Sequence, residues 1–114
     1  MKIDRKMRII MRDDKAVALS INQFRMFDVV YQAGYRGLTI AAVRNAIYDG
    51  SDAPLTLGRG VHVTTFKLNQ KLAHIGFRIR VVNRGKHTFY QLEDRREMFF
   101  YAKNALQTAA SDND

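Results

Sequence analysis

The sequence predicts an α+β domain, with three helices between two β-hairpins and one further helix at the end. Three observations carry this reading. Two segments, near 5–18 and 78–92, place short apolar and β-branched runs on either side of a compact polar turn. Between them, apolar residues recur at helical spacing, and two of these helical segments open with Ser20 or Thr39, residue types that cap helix N-termini. Finally, one apolar stripe, Val61, Thr65, Leu68, Leu72 and Ile75, runs through a segment whose first half favours strand by composition.

In the first hairpin, "MRIIM" and "AVAL" flank "RDDK", whose two Asp residues suit a turn. "LSINQFRMFDVVYQAGYRG" then reads as a helix. Ser20 is its N-cap and Gln23, three residues on, completes a capping box. Phe24, Phe27 and Tyr31 recur at helical spacing with Met26 and Val30 beside them, and Gly34 suits the position past the end. "LTIAAVRNAIYDG" predicts a shorter helix capped by Thr39. Ile40, Val43 and Ile47 line one face, Ala46 adds to it, and Asp49 and Gly50 end it. "SDAPLTLGRG", with the only proline, Pro54, reads as a loop.

The third helix is expected over roughly 60–74, because the stripe spaced by four, three, four and three outweighs a weak local β-propensity. Gly76 stands where a terminating glycine belongs, and Phe77 could pack back on Leu72. In "RIRVVNRGKHTFYQLE", Ile79 and Val81 on one side and Phe89, Tyr90 and Leu92 on the other flank a glycine-containing turn with a cationic tip. "DRREMFFYAKNALQTA" predicts a last helix with Phe99, Ala102 and Leu106 on one stripe, and Met98, Tyr101 and Ala105 alongside. The expected organisation is one domain over 1–92, a helix over 93–110 and a disordered tail over 111–114.

Charge narrows the function. The chain has 114 residues and a formal net charge of +8, which suggests a polyanionic partner. The cations are clustered. No acidic residue stands between Asp52 and Glu93, an interval holding Arg59, Lys67, Lys71, Arg78, Arg80, Arg84 and Lys86. There is no cysteine, so disulfides and thiolate chemistry are excluded. No stretch approaches the roughly 20 apolar residues of a membrane span, and the N-terminus lacks a signal-peptide core. A soluble cytoplasmic protein, nucleoid-associated if bacterial, with no membrane partner is expected.

Three helices followed by a β-hairpin is the order of a winged helix-turn-helix, in which the third helix enters the DNA major groove and the hairpin is the wing. Three stretches resemble the effector domain of OmpR/PhoB-type response regulators: "LSINQFRMFDVV", with Gln23 where Glu is usual, "LTIAAVRNAIYDG", and "RGVHVTTFKLNQKL". The resemblance covers roughly 5–92. It implies that Thr64 and Lys67 face the groove and that Arg59 meets the backbone. The sequence departs from that family in three ways: it leaves no room for a receiver domain, "NRGKHTFY" replaces the wing's Gly-x-Gly-Tyr, and the last helix is additional. A stand-alone regulator is therefore expected.

The sites follow from this placement. With Val61, Leu68 and Leu72 inward, Thr64, Lys67 and Lys71 should face outward, with His62, Phe66, Asn69 and Gln70 flanking them. Lys reads guanine or phosphate, Asn and Gln read adenine, and Thr meets the thymine methyl. Phe66 either completes the core or meets a thymine methyl. Arg84 and Lys86 at the hairpin tip suit the minor groove, and Arg78 and Arg80 suit phosphates. His62, His74 and His87 match no metal-ligand spacing, and neither a glycine-rich phosphate loop nor GxSxG is present, so no metal, cofactor or enzymatic activity is expected. The expected partners are double-stranded DNA, a second copy joined through Met98, Phe99, Ala102 and Leu106, and RNA polymerase or another regulator. The alternative is a winged-helix adaptor that docks on protein without reading DNA; RNA is a weaker option because no aromatic stacking surface is evident.

Overall fold

The computed structural model describes residues 1–48 and 57–95, with the side chains of 57–59 left aside. Strands β1 (Lys2–Asp4), β2 (Ile9–Arg12) and β3 (Lys15–Ala18) precede helix α1 (Ile21–Ala33). A short strand β4 (Leu38–Thr39) leads into helix α2 (Ile40–Ile47). Helix α3 (Leu57–Leu72) is followed by the hairpin of β5 (Phe77–Arg84) and β6 (His87–Asp94). The strands form two antiparallel sheets, ordered β1-β2-β3 and β4-β6-β5.

The N-terminal element is thus a three-stranded sheet and not the expected hairpin alone. The β2–β3 turn is Asp13–Asp14, and Asp13 takes a positive φ of 57°, which Asp tolerates better than most residues. The added strand β1 pairs with β2 through Lys2, Ile3 and Asp4. Its turn is closed by the Met7 amide donating to the Asp4 carboxylate at 3.0 Å. Strand β4 was also unforeseen, since two residues carry no alternation to read; it pairs Leu38 with Tyr90 and Thr39 with Phe89.

Both caps are as expected. The Gln23 amide donates to the Ser20 hydroxyl at 3.2 Å, and the Gln23 side chain accepts from the Ser20 amide at 3.0 Å. Thr39 accepts from the Ala42 amide at 3.3 Å. The buried face of α1 is rotated from the expected one: Gln23, Met26, Phe27 and Val30 are buried, Phe24 is half-buried, and Tyr31 is exposed while stacking on Phe27 at 5.8 Å. Helix α3 starts at Leu57, earlier than expected, so the end of the expected loop is helical. A Cβ on Gly60 would collide with the Tyr48 hydroxyl, which explains a glycine inside a helix despite its cost. After Leu72 the chain tightens into a 3-10 turn, Ala73–Ile75, and Gly76 ends it with φ 78°, ψ 23°, the left-handed conformation that glycine adopts readily.

One core joins all these elements. Ile10, Val17 and Leu19 meet Met26, Phe27 and Val30 of α1, Val43 and Ile47 of α2, and Val61, Leu68 and Leu72 of α3. Ile75, Phe77, Ile79 and Tyr90 close it from the hairpin side; burial pushes the Tyr90 phenol pKa up. None of the described helices is long and apolar enough to cross a membrane.

Candidate nucleic-acid interface

Helix α3 is held on three sides. Val61, Leu68 and Leu72 are fully buried. The Thr65 hydroxyl donates to the Val61 carbonyl at 2.7 Å and lies 3.6 Å from the Met26 sulfur. Lys71 Nζ donates to Gln23 Oε1 at 2.9 Å, tying the helix to the capping box of α1. Asn69 clasps the hairpin: its Nδ2 donates to the Ile79 carbonyl at 3.2 Å, and its Oδ1 accepts from the Ile79 amide at 2.7 Å. β5 is an edge strand of its sheet, so the clasp satisfies backbone groups that no neighbouring strand meets.

These bonds revise which residues look outward. Thr64 and Lys71 are half-buried, contrary to expectation, and Asn69 is occupied by β5. At 100° per residue, Thr64 lies about 120° from Gln70, toward the core-facing flank. The exposed arc comprises His62, Val63, Phe66, Lys67 and Gln70, with Ala73 and His74 further along. Phe66 does not complete the core; it is 66 % exposed. Arg59 lies on the backbone of α3, but its side chain is outside the described residues.

The hairpin stands beside this arc. Its two-residue loop is Gly85–Lys86, and Gly85 has φ 63°, as a type II′ turn requires at its first central position. Arg78 is paired across the strands with Glu93 at 2.9 Å. Arg84 does not extend from the tip. Its guanidinium donates to the carbonyls of Arg36 at 3.1 Å and Tyr35 at 3.2 Å, and sits 5.3 Å from the centre of the Phe89 ring. Gln91 Nε2 donates to the same Tyr35 carbonyl. The hairpin is therefore latched to the turn between α1 and β4. Arg80 and Lys86 are exposed, and no hydrogen bond or ion pair holds either among the described residues.

A residue that no motif marked sets the hairpin base. Arg12 donates from both terminal nitrogens to the Asp94 carboxylate at 2.9 and 2.7 Å and to the Ile75 carbonyl at 3.2 Å, and lies 4.4 Å from the Phe77 ring centre. It joins β2, the 3-10 turn after α3 and both hairpin strands. A cleft nearby is lined by Arg12, Asp13, Asp14, Lys15, Ala73, His74, Ile75 and Gly76. It mixes both signs of charge, unlike the acid-free surface of α3. Among the described residues, no group of His, Cys, Asp and Glu could hold a metal ion. Met98, Phe99, Ala102 and Leu106, expected to join two copies, lie outside the described residues.

The chain matches no protein-family model and no curated protein. Among solved structures it is similar to the DNA-binding domain of the response regulator AdeR, crystallised in complex with an intercistronic region. The TM-score is 0.59 and the identity 20 %, over 81 % of this chain and 92 % of that one. The likeness shows the fold: three helices and β-sheets arranged as in a winged-helix DNA-binding domain.

Proposed function

We propose that this protein is a transcription regulator that binds duplex DNA sequence-specifically, with α3 in the major groove and the β5–β6 hairpin as a wing at the backbone or minor groove. The observation that carries this reading is the composition of one surface. His62, Lys67 and Gln70 on α3 stand exposed beside the exposed Arg80 and Lys86 of the hairpin, within an interval free of acidic residues. The shared fold with a domain crystallised on an intercistronic region supports it. Lys67 and Gln70 are the direct readers in this proposal, Arg80 and Lys86 contact phosphate, and His62 flanks them. Asn69, Lys71, Arg78 and Arg84 position the helix and wing, Thr64 flanks the readers as a weaker contact, and Arg59 meets the backbone. Cytoplasmic location and a contact with RNA polymerase or another regulator belong to the same reading.

Lys67→Ala is expected to cost about 1–3 kcal/mol on a selected site and to relax specificity at one position. Lys86→Ala should weaken selected and random duplexes alike, since a phosphate contact carries no sequence information. Binding titrations on both kinds of DNA check this. Equal losses for Lys67→Ala on both would show that α3 does not read bases.

The homodimer proposal rests on the apolar stripe of Phe99, Ala102 and Leu106 with Met98 alongside it. Two linked readers hold a two-fold site more tightly than one. Truncation must spare Asp94 and Arg95, because Arg12 holds the first and the Arg95 amide donates to the Gly76 carbonyl at 2.9 Å. Sedimentation should give a dimer for the intact chain and a folded monomer for a chain ending at Arg95; a monomeric intact chain excludes the dimer.

A further inference from the structure

Two exposed apolar side chains interrupt the polar arc of α3. Phe66 is 66 % exposed and Val63 44 %. Val81 of β5, 48 % exposed, is the third. The Asn69–Ile79 clasp fixes their relation. Phe66 lies one helical turn before Asn69, and Val81 lies two residues beyond Ile79, on the same face of the strand. The chain reverses direction at Gly76, so both displacements run the same way from the clasp. An apolar strip thus runs along the exposed side of the helix and onto the hairpin strand, with the exposed Lys67 next to Phe66 on the helix and the exposed Arg80 on the other face of β5 from Val81.

Leaving a phenylalanine and two valines in water forgoes the stabilisation their burial would bring, so their exposure asks for an occupant. An acidic protein could meet the cations, but so can DNA, and the major groove offers the matching apolar group. Thymine alone among the bases presents a methyl there. Phosphates flanking the groove meet these cations while the methyl meets the ring. We infer that Phe66, supported by Val63 and Val81, reads thymine 5-methyl groups, so that the preferred site is defined by apolar contact at one or two T positions as much as by hydrogen bonds to Lys67 and Gln70. This rests on the proposed DNA-binding reading and names what that surface recognises.

The test uses the full chain. A site is first enriched from a random duplex library, and each thymine is then replaced singly by deoxyuridine, which lacks only the methyl. Burying one methyl is worth about 0.8 kcal/mol, or about fourfold in affinity. One or two positions are therefore expected to lose about fourfold with the natural protein. With Phe66→Ala, the loss at those positions should vanish, while Val63→Ala should reduce it. Phe66 is exposed, so the variant should keep the natural melting temperature. Two results would overturn the inference alone: an enriched site indifferent to deoxyuridine everywhere, or an unchanged deoxyuridine penalty in Phe66→Ala. A change of oligomeric state in Phe66→Ala with the penalty intact would assign the strip to a second copy of the chain instead. Failure to enrich any sequence would remove the DNA-binding reading and this inference with it.

Discussion

Raising monovalent salt from about 50 to about 200 mM is expected to weaken duplex binding by roughly 10²- to 10³-fold. Arg80 and Lys86 are exposed and hold no hydrogen-bond or ion-pair partner among the described residues, so they are free to displace counterions from phosphate, and the exposed Lys67 carries its positive charge into the groove. Arg59 stands at the start of the same helix. Arg78 adds a smaller share, since Glu93 already neutralises it at 2.9 Å. Four to six neutralised phosphates give a slope of roughly −3.6 to −5.4 in log K against log salt. Fluorescence anisotropy with a labelled duplex across a salt series measures it. A flat response with every duplex tested would sink the DNA reading and favour the adaptor alternative, because a protein-docking face has no condensed counterions to release.

Arg12→Ala is expected to lower stability by about 2–3 kcal/mol, the range for hydrogen bonds to charged groups that are largely desolvated. The pair with Asp94 is bidentate, and its side chains are only 16 % and 20 % exposed, so solvent screens it less than a surface pair. The same guanidinium serves the Ile75 carbonyl and the Phe77 ring. For a domain of this size such a loss lowers the melting temperature by roughly 10–20 °C. Arg12→Lys should recover only part of it, because a single ammonium cannot reproduce the planar fork. Thermal denaturation followed by circular dichroism tests both variants. Natural stability in Arg12→Ala would mean that the apolar core alone holds the hairpin base.

Much of the fold was legible in the chain because its causes are local. Ser20 with Gln23, and Thr39, mark helix starts through bonds that span three residues. The stripe from Val61 to Ile75 identifies a helix because burial on one side needs only a period. Gly76 and Gly85 mark a helix end and a turn through their own backbone freedom. The basic interval is simple composition. The short strands β1 and β4 leave no such mark, since strands of three and two residues exist only by virtue of their partners. The start of α3 was hidden by Gly58 and Gly60, poor helix formers; at Gly60 the reason is the hydroxyl of Tyr48.

Which site residues face outward was decided by contacts distant in sequence. Period alone puts Asn69 and Lys71 on or beside an outer face, and both then find partners, Ile79 ten residues on and Gln23 on another helix. Arg84 reads as a free cation at a turn until the Tyr35 and Arg36 carbonyls come within reach. Arg12 carries no motif, yet its partner Asp94 is 82 residues away. A polar side chain takes the nearest group that lowers its energy, and for these residues that group is brought near only when the whole chain has packed. Phe66 and Lys67 remain outward because, among the described residues, packing brought none to them.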